Sequence, residues 1–202
     1  MVHYDDSLTL RDARTKYFDD NHFGADGGYN DAWVQIRVVG IPCAFPNMQG
    51  RVRAVRFHDL HHVMTGYETT NLGEAEIGAW ELATGCANHP AAWLLNLMAF
   101  GFGALRSPPR TLRALARGRR SQNLYRRTFD DALLDRTVGD VRAELGIHDR
   151  AVSPGVGDVA AFVGYALTAA VVATPLALTL PVMGVGMLVL QRFAPKATPH
   201  TA

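Results

Sequence analysis

Residues 51–84, RVRAVRFHDLHHVMTGYETTNLGEAEIGAWELAT, combine two helical patterns around one glycine-containing turn. In the first half, apolar residues recur at spacings of three to five, at Val52, Val55, Leu60 and Val63. This spacing is typical of one apolar face of a helix, and Gly66 is a residue type that commonly ends one. The second half predicts another helix over about residues 72–84. We therefore predict an all-α fold organised around a helix-turn-helix.

The same stretch concentrates residue types that bind metals. On a helix, His58 and His62 lie one turn apart on the same face, and Asp59, about 100° further round, can still turn toward a common point. Glu74 arrives from the second helix. Imidazole and carboxylate ligands suit zinc, iron or manganese, and a metal shared between helices is a familiar arrangement. The pattern predicts a divalent metal site made by His58, Asp59, His62 and Glu74; the alternative is a polar helix face with surface ion pairs.

His61 adds a further imidazole beside this group. With it the sequence reads HxxHH, similar to the histidine boxes of membrane di-iron desaturases and hydroxylases. Those enzymes carry several such boxes, whereas the remaining five of the eight histidines here are isolated along the chain. An oxygenase of this kind is therefore the weakest of the enzyme hypotheses.

Bulk composition narrows the function classes. Hydrophobic residues make up 48% of the chain and charged residues 19%, with a formal net charge of +1. A nearly neutral chain argues against nucleic-acid binding by bulk electrostatics. Cys43 and Cys86 are too few for a zinc-thiolate motif or a disulfide framework. The first twenty residues have no apolar core, so we expect no secretory or organelle-targeting signal there.

The C-terminal quarter predicts contact with a membrane. From Val159 to Gln191 no residue is charged, and Pro175 and Pro181 interrupt the run. One kinked transmembrane span and a re-entrant hairpin are both compatible with this length, and a buried pair of core helices is the alternative. The hairpin is favoured because it keeps the basic flanks on one side, which the positive-inside rule makes the cytoplasmic face. We divide the chain into a helical domain over 1–150 and a hydrophobic membrane-anchor extension over 151–202.

Two segments between these regions have open interpretations. Residues 91–105 form an apolar pattern that suits a core helix, and its two glycines would also allow a chain-like ligand to approach. Residues 106–127 hold eight arginines and no acidic residue. Such a segment could bind the surface of an anionic bilayer, and the alternative is a basic helix exposed to solvent.

The metal-ligand pattern resembles the signature of the coenzyme Q (ubiquinone) biosynthesis protein four family, which is HD, two residues, H, eleven residues and E. Here these are His58–Asp59, His62 and, after VMTGYETTNLG, Glu74. Glu81, NLYRR (123–127) and RAELGI (142–147) are also similar to the family. The resemblance covers about residues 50–148; the first fifty residues and the apolar tail fall outside it.

The resemblance implies a membrane-associated protein that holds a divalent metal, zinc before magnesium, manganese or iron. It implies C1 decarboxylation, with or without oxidation, of a polyprenyl-hydroxybenzoate intermediate, with His61 or Glu81 as the acid or base. Its alternative is a non-catalytic isoprenoid-lipid-binding or scaffold protein of the ubiquinone biosynthetic complex. The expected partners are a polyprenylated aromatic or isoprenoid lipid, the membrane and other ubiquinone biosynthesis proteins. The expected location is the cytoplasmic face of a bacterial inner membrane.

Overall fold

Helices dominate the structure, a computed structural model that describes residues 2–38, 41–148 and 152–193, so the predicted helical class is confirmed. In chain order the elements are α1 (Leu10–Asn21), β1 (Trp33–Val38), β2 (Ile41–Pro46), α2 (Gln49–Thr65), α3 (Asn71–Thr84), α4 (Pro90–Arg106), α5 (Pro108–Gly118), α6 (Asp131–Leu134), α7 (Val138–Glu144) and α8 (Val156–Phe193). The two strands pair antiparallel, with Trp33 opposite Pro46.

The predicted helix-turn-helix is confirmed as α2 and α3. Gly66 ends α2 with a left-handed φ of 73°, and its N–H donates to the carbonyl of His62. This conformation is one that glycine adopts without a steric penalty. After a short turn, the Thr70 side chain caps α3 by accepting a hydrogen bond from the N–H of Gly73. The cap starts α3 with Glu74 in its first turn.

The interior is organised around α3, which packs against α4 and α5. Trp80 is fully buried at its centre. Small residues allow the close approach: a Cβ placed on Gly118 would lie 2.5 Å from the carbonyl oxygen of Trp80, and one on Gly103 would lie 2.6 Å from the Cβ of Ala75. The apolar segment predicted over 91–105 is confirmed as helix α4.

The hairpin favoured for residues 159–191 is wrong, because this run forms one continuous helix, α8. Each proline removes one intrahelical hydrogen bond, but a chain reversal also needs residues that form a turn. Between Pro175 and Pro181 the sequence is LALTL, which contains no glycine, asparagine or aspartate. The run therefore stays helical through both prolines.

The first part of α8 packs on the helical domain. Phe162 contacts Phe100 of α4 with ring centroids 5.2 Å apart, and the Tyr165 hydroxyl donates to the carbonyl of Leu82 at 2.9 Å. Asp158, at the start of α8, forms ion pairs with two arginines of the preceding basic segment. Residues beyond position 151 therefore share the core of the domain that was predicted to end at 150.

Farther along α8, many of the apolar side chains that the structure describes face outward. Leu167, Val171, Leu178 and Val182 are each more than 60% exposed. Over the part of the chain that the structure describes, none of the helices combines the length and the apolar character needed to cross a bilayer. The transmembrane part of the fold prediction is not confirmed.

The basic segment is more internal than its sequence indicates. Arg117 is 6% exposed and donates to the carbonyl of Thr65, while Arg110 forms an ion pair with Glu76. Arg119 and Arg120 bind Asp158. Many of these arginines therefore connect one helix to another, and they do not form a single basic surface.

Candidate metal centre

Three of the four predicted ligands converge on one point between α2 and α3. The Nε2 atoms of His58 and His62 are 3.1 Å apart, and each lies 3.3 Å from an oxygen of Glu74. Ligand atoms of the three side chains all lie within 4.8 Å of one another. Among the described residues, no other group of three or more such side chains has this geometry. Two imidazoles and one carboxylate are a common catalytic zinc ligand set, which leaves a fourth position for water or substrate.

The close approach of α3 to the preceding turn fixes the position of Glu74. A Cβ on Gly73 would lie 2.0 Å from the carbonyl oxygen of Glu68. Only a residue without a side chain fits this contact. Glycine is therefore required sterically in the LGE sequence (72–74), because Gly73 allows the first turn of α3 to pack against the turn that follows α2.

Hydrogen bonds orient both imidazoles with Nε2 toward the common point. The Nδ1–H of His62 donates to the carbonyl of Tyr67 at 2.8 Å, and the Nδ1–H of His58 donates to Oε1 of Glu81 at 3.0 Å. With Nδ1 as donor, the lone pair of a neutral imidazole lies on Nε2. Outer hydrogen bonds of this kind typically set the tautomer of metal-binding histidines. Tyr17 of α1 stacks on the His62 ring with centroids 5.5 Å apart.

Glu81 is a fully buried carboxylate that accepts hydrogen bonds from four side chains. Oε1 accepts from His58 and from His61 at 2.6 Å. Oε2 accepts from Asn96 at 2.5 Å and from the Tyr125 hydroxyl at 2.7 Å. Burial alone would raise the pKa of Glu81, but the neighbouring imidazoles outweigh it and hold that pKa well below its usual range. Glu81 is therefore ionised and links α2, α3 and α4 behind the cluster.

His61 also lies behind the cluster. It is fully buried, its Nδ1–H donates to Glu81, and its Nε2 accepts from the N–H of Leu124 at 3.0 Å. Burial lowers the pKa of His61 despite the carboxylate beside it. Both ring nitrogens are occupied by protein partners, so His61 acts in this structure as a link between Glu81 and the segment at Leu124.

Asp59 is not part of the three-residue group. It is 5% exposed, and its Oδ2 accepts from the Tyr29 hydroxyl at 2.5 Å. Burial raises the pKa of Asp59, although the nearby imidazole of His58 opposes this. Its side chain lines the same cavity as His58 and Glu74, and its role as a metal ligand stays a prediction.

Electrostatics in the cluster favour opposite charges on its members. Burial by itself would lower the pKa of His58, but the carboxylates of Glu81 and Glu74 raise it well above the ordinary value. Burial by itself would raise the pKa of Glu74, but hydrogen bonds from His58 and His62 hold it far below its usual range. Without a metal, the site is therefore balanced by a positively charged imidazole between carboxylates. A divalent cation would supply the same compensation.

The cluster opens into a cavity of about 560 Å³. Its walls are mainly apolar and come from α1, the strands, α2 and α4, with Phe23, Trp33, Phe45, Val55, Leu95 and Ala99 among them. Leu95 and Phe23 are 42% and 40% exposed, so the cavity reaches the surface. The lining combines carboxylates and an imidazole, which could hold an anionic group through a bound cation, with apolar side chains that can contact a hydrocarbon.

Several residues that complete the site belong to no ligand motif in the sequence. Tyr17 and Tyr29 lie in the region before residue 50, where no motif pointed to them. Asn96 had a usable signal, because it is a lone amide within an apolar helix, and Tyr125 lies in the NLYRR segment. Comparisons of the chain with models of known families, with curated proteins and with solved structures gave no match.

Proposed function

We propose that this protein is a metal-dependent carboxy-lyase that decarboxylates C1 of a polyprenyl-hydroxybenzoate in ubiquinone biosynthesis. The observation that carries the proposal is the convergence of His58, His62 and Glu74 beside a largely apolar cavity that His58 and Glu74 line. An aromatic carboxylate with a long isoprenoid tail has the same division into an anionic head and an apolar chain. The motif resemblance over residues 50–148 supports the same substrate class.

The donor set fits a divalent metal. Both imidazoles direct Nε2 toward Glu74, and both Nδ1–H groups are satisfied by fixed acceptors. Metals of intermediate Lewis-acid hardness, such as zinc, favour this combination of nitrogen and oxygen ligands. His58, His62 and Glu74 would hold the ion, and Asp59 lies close enough to line the same cavity. A bound Lewis acid would hold the substrate carboxylate and stabilise negative charge that develops as carbon dioxide leaves.

The protein side chains orient and enclose the substrate. Tyr17, stacked on His62, forms one wall beside the cluster, and Leu95 and Ala99 of α4 form part of the apolar wall. Each methylene of an isoprenoid buried along such a wall contributes about 0.8 kcal/mol. Glu81 keeps His58 oriented, which makes it a positioning residue for the cluster.

A non-catalytic role as an isoprenoid-lipid-binding or scaffold protein is the second candidate. This candidate is favoured because neither residue predicted to transfer a proton, His61 or Glu81, has a proton free to give. Glu81 is ionised and accepts hydrogen bonds from four side chains. Both ring nitrogens of His61 form hydrogen bonds with other protein groups. A catalytic acid needs a proton to give and access to the reacting carbon. In the lyase, that proton would have to come from another source, such as water in the cavity.

Metal content and carbon dioxide release distinguish these candidates. We expect about one metal per chain in the wild type, loss of it in His62→Ala and in Glu74→Ala, and retention in the exposed control His148→Ala, because only the first two remove a ligand. The lyase would be supported if the wild type and His148→Ala release carbon dioxide from a polyprenyl-hydroxybenzoate and the two ligand variants do not. Bound metal without release favours the lipid-binding protein, and absence of metal would rule out the metal-dependent lyase.

The exposed apolar side chains of α8 support association with a lipid surface. Leu95, Phe102 and Leu105 of α4 are also more than 40% exposed. Large exposed apolar surfaces are typical of membrane or protein contact sites. Leu95 also lines the metal-site cavity, so an isoprenoid could enter from the same side. We propose the cytoplasmic face of a bacterial inner membrane as the location, with other ubiquinone biosynthesis proteins as partners.

A further inference from the structure

A second cavity, of about 970 Å³, shares Tyr125 as a lining residue with the cavity of the candidate metal centre. We call it the arginine cavity, because its walls include Arg53, Arg56, Arg126 and Arg127 together with His89 and Phe129. None of its lining residues is acidic. Four guanidinium groups around one cavity without a carboxylate create a positive potential that attracts anions.

Within the described residues, most of this charge has no acidic partner. Arg127 pairs with Glu144, a carboxylate that also pairs with Arg136. Arg53 and Arg126 are exposed and Arg56 is half-buried, and no described carboxylate forms an ion pair with any of these three. The cavity therefore differs from the basic segment around α5, where arginines are joined to Asp158 and Glu76.

Aromatic rings hold part of this cavity rigid. The Arg56 guanidinium lies 5.4 Å from the centroid of Tyr29 and 5.7 Å from that of Phe129. The Nε2–H of His89 donates to the carbonyl of Tyr125 at 3.2 Å. A guanidinium fixed between rings loses less conformational entropy when it binds a ligand than a free one does. The cavity is therefore partly organised for binding.

The loop that closes one side has an unusual backbone. Ala87 lines the cavity with a φ of 44°, in the left-handed region that residues with a side chain rarely adopt. Such conformations persist where the surrounding structure holds them, and they are concentrated at binding sites.

We propose that the arginine cavity binds a phosphoryl group. Planar guanidinium groups match phosphate oxygens with paired hydrogen bonds, and these charge-assisted bonds are the strong ones. Soluble organic phosphates and phospholipid headgroups share this chemistry. The site is separate from the metal centre, and Tyr125 forms a wall of both cavities while its hydroxyl binds Glu81.

Calorimetric titration with inorganic pyrophosphate tests the site. We expect saturable binding to the wild type, weakened about tenfold or more in the double variant Arg53→Ala/Arg126→Ala, because each lost charge-assisted hydrogen bond has an effect of this size. The control Arg106→Ala/Arg113→Ala removes the same charge from exposed positions outside the cavity, and we expect its affinity to stay within about twofold of the wild type.

Two further titrations locate the anion and its source. Glu74→Gln should bind pyrophosphate like the wild type, because its change lies at the metal centre; loss of binding there would overturn the proposal by placing the anion on the metal. Short-chain phosphatidic acid binding that falls only in the Arg53→Ala/Arg126→Ala variant would identify a lipid headgroup, and pyrophosphate binding without it would identify a soluble phosphate. No saturable pyrophosphate binding, or an equal loss in both arginine double variants, would overturn the proposal.

Discussion

Among single residues, Glu81 connects the parts of the candidate metal centre. Its two oxygens accept four hydrogen bonds from residues on α2, on α4 and at Tyr125. Because it is ionised and fully buried, its charge must be compensated by His58 when no metal is bound. The imidazole that is predicted to bind metal is thus also the counter-ion of this carboxylate, and the two roles respond to pH in opposite directions.

The metal-free protein should therefore lose stability as pH rises above neutrality. The pKa of His58 is raised above its ordinary 6.5, so its contribution is fully present below 6.5 and is lost as pH rises through the raised pKa. The pKa values of Glu74 and Glu81 are lowered from 4.5, so their contributions are present above 4.5 and are lost as pH falls through the lowered values. Denaturant unfolding of the chelator-treated protein at about pH 6 and about pH 9 measures this.

A matched variant assigns the effect to His58. Replacing His58 by Gln removes the titrating ring, so the decrease between the two pH values should become smaller. The other titratable groups that face His58, which are His62, Asp59 and the two glutamates, stay in place. An equal decrease in wild type and variant would contradict the assignment. Metal affinity should change the other way and weaken as pH falls, because a protonated imidazole cannot bind a cation.

The sequence could predict the convergence of ligands but not the hydrogen bonds that orient them. His58 and His62 are one helical turn apart, so their common face follows from helix geometry alone. The partner of Asp59 is Tyr29, thirty residues away on a segment without regular structure. Such a contact depends on tertiary packing, which periodicity does not encode. The same reason explains why Tyr17 was missed.

At the scale of elements, the turn between α2 and α3 sets the distance between the histidines and Glu74. Gly66 ends α2, Thr70 caps α3, and Gly73 fits against the carbonyl of Glu68. The helices on both sides follow from sequence periodicity and were predicted to within a few residues. The tight contact at Gly73 could not be read from that pattern, because any small residue is compatible with the first turn of a helix.

Gly73→Ala should weaken metal binding although it changes no ligand. The new Cβ would lie 2.0 Å from a backbone oxygen that has no flexible side chain to yield, so the first turn of α3 must shift and carry Glu74 with it. We expect about 1–3 kcal/mol less stability from overpacking and about tenfold weaker metal binding. Denaturant unfolding and metal titration measure the two effects.

Gly164→Ala is the control, because nothing lies within 4 Å of its added Cβ on α8. Alanine in an exposed helix should be neutral or more stable by about 0.5–1 kcal/mol. Unchanged metal affinity in Gly73→Ala would show that Glu74 tolerates a displaced helix start or is not a ligand.

For the whole molecule, Leu95 links the cavity beside the candidate metal centre to the exposed apolar surface of α4. Leu95 of α4 both lines the cavity and faces solvent, and Phe102 and Leu105 continue its exposed side. The first half of α8 packs against Phe100 of α4 through Phe162 and Tyr165. We therefore expect an apolar ligand to enter the cavity at Leu95.

The outer face of α8 should be required for binding to lipid vesicles. Leu167 and Leu178 are 64% and 73% exposed, and burying each in the acyl region contributes about 2–3 kcal/mol. We expect Leu167→Gln/Leu178→Gln to sediment with vesicles of anionic phospholipid at least about tenfold more weakly than the wild type. Val2→Gln/Met48→Gln is the control, because it replaces two exposed apolar residues outside α8, and it should sediment like the wild type. Equal sedimentation of all three proteins would mean that α8 is not the contact surface, and the basic residues would then have to account for the binding.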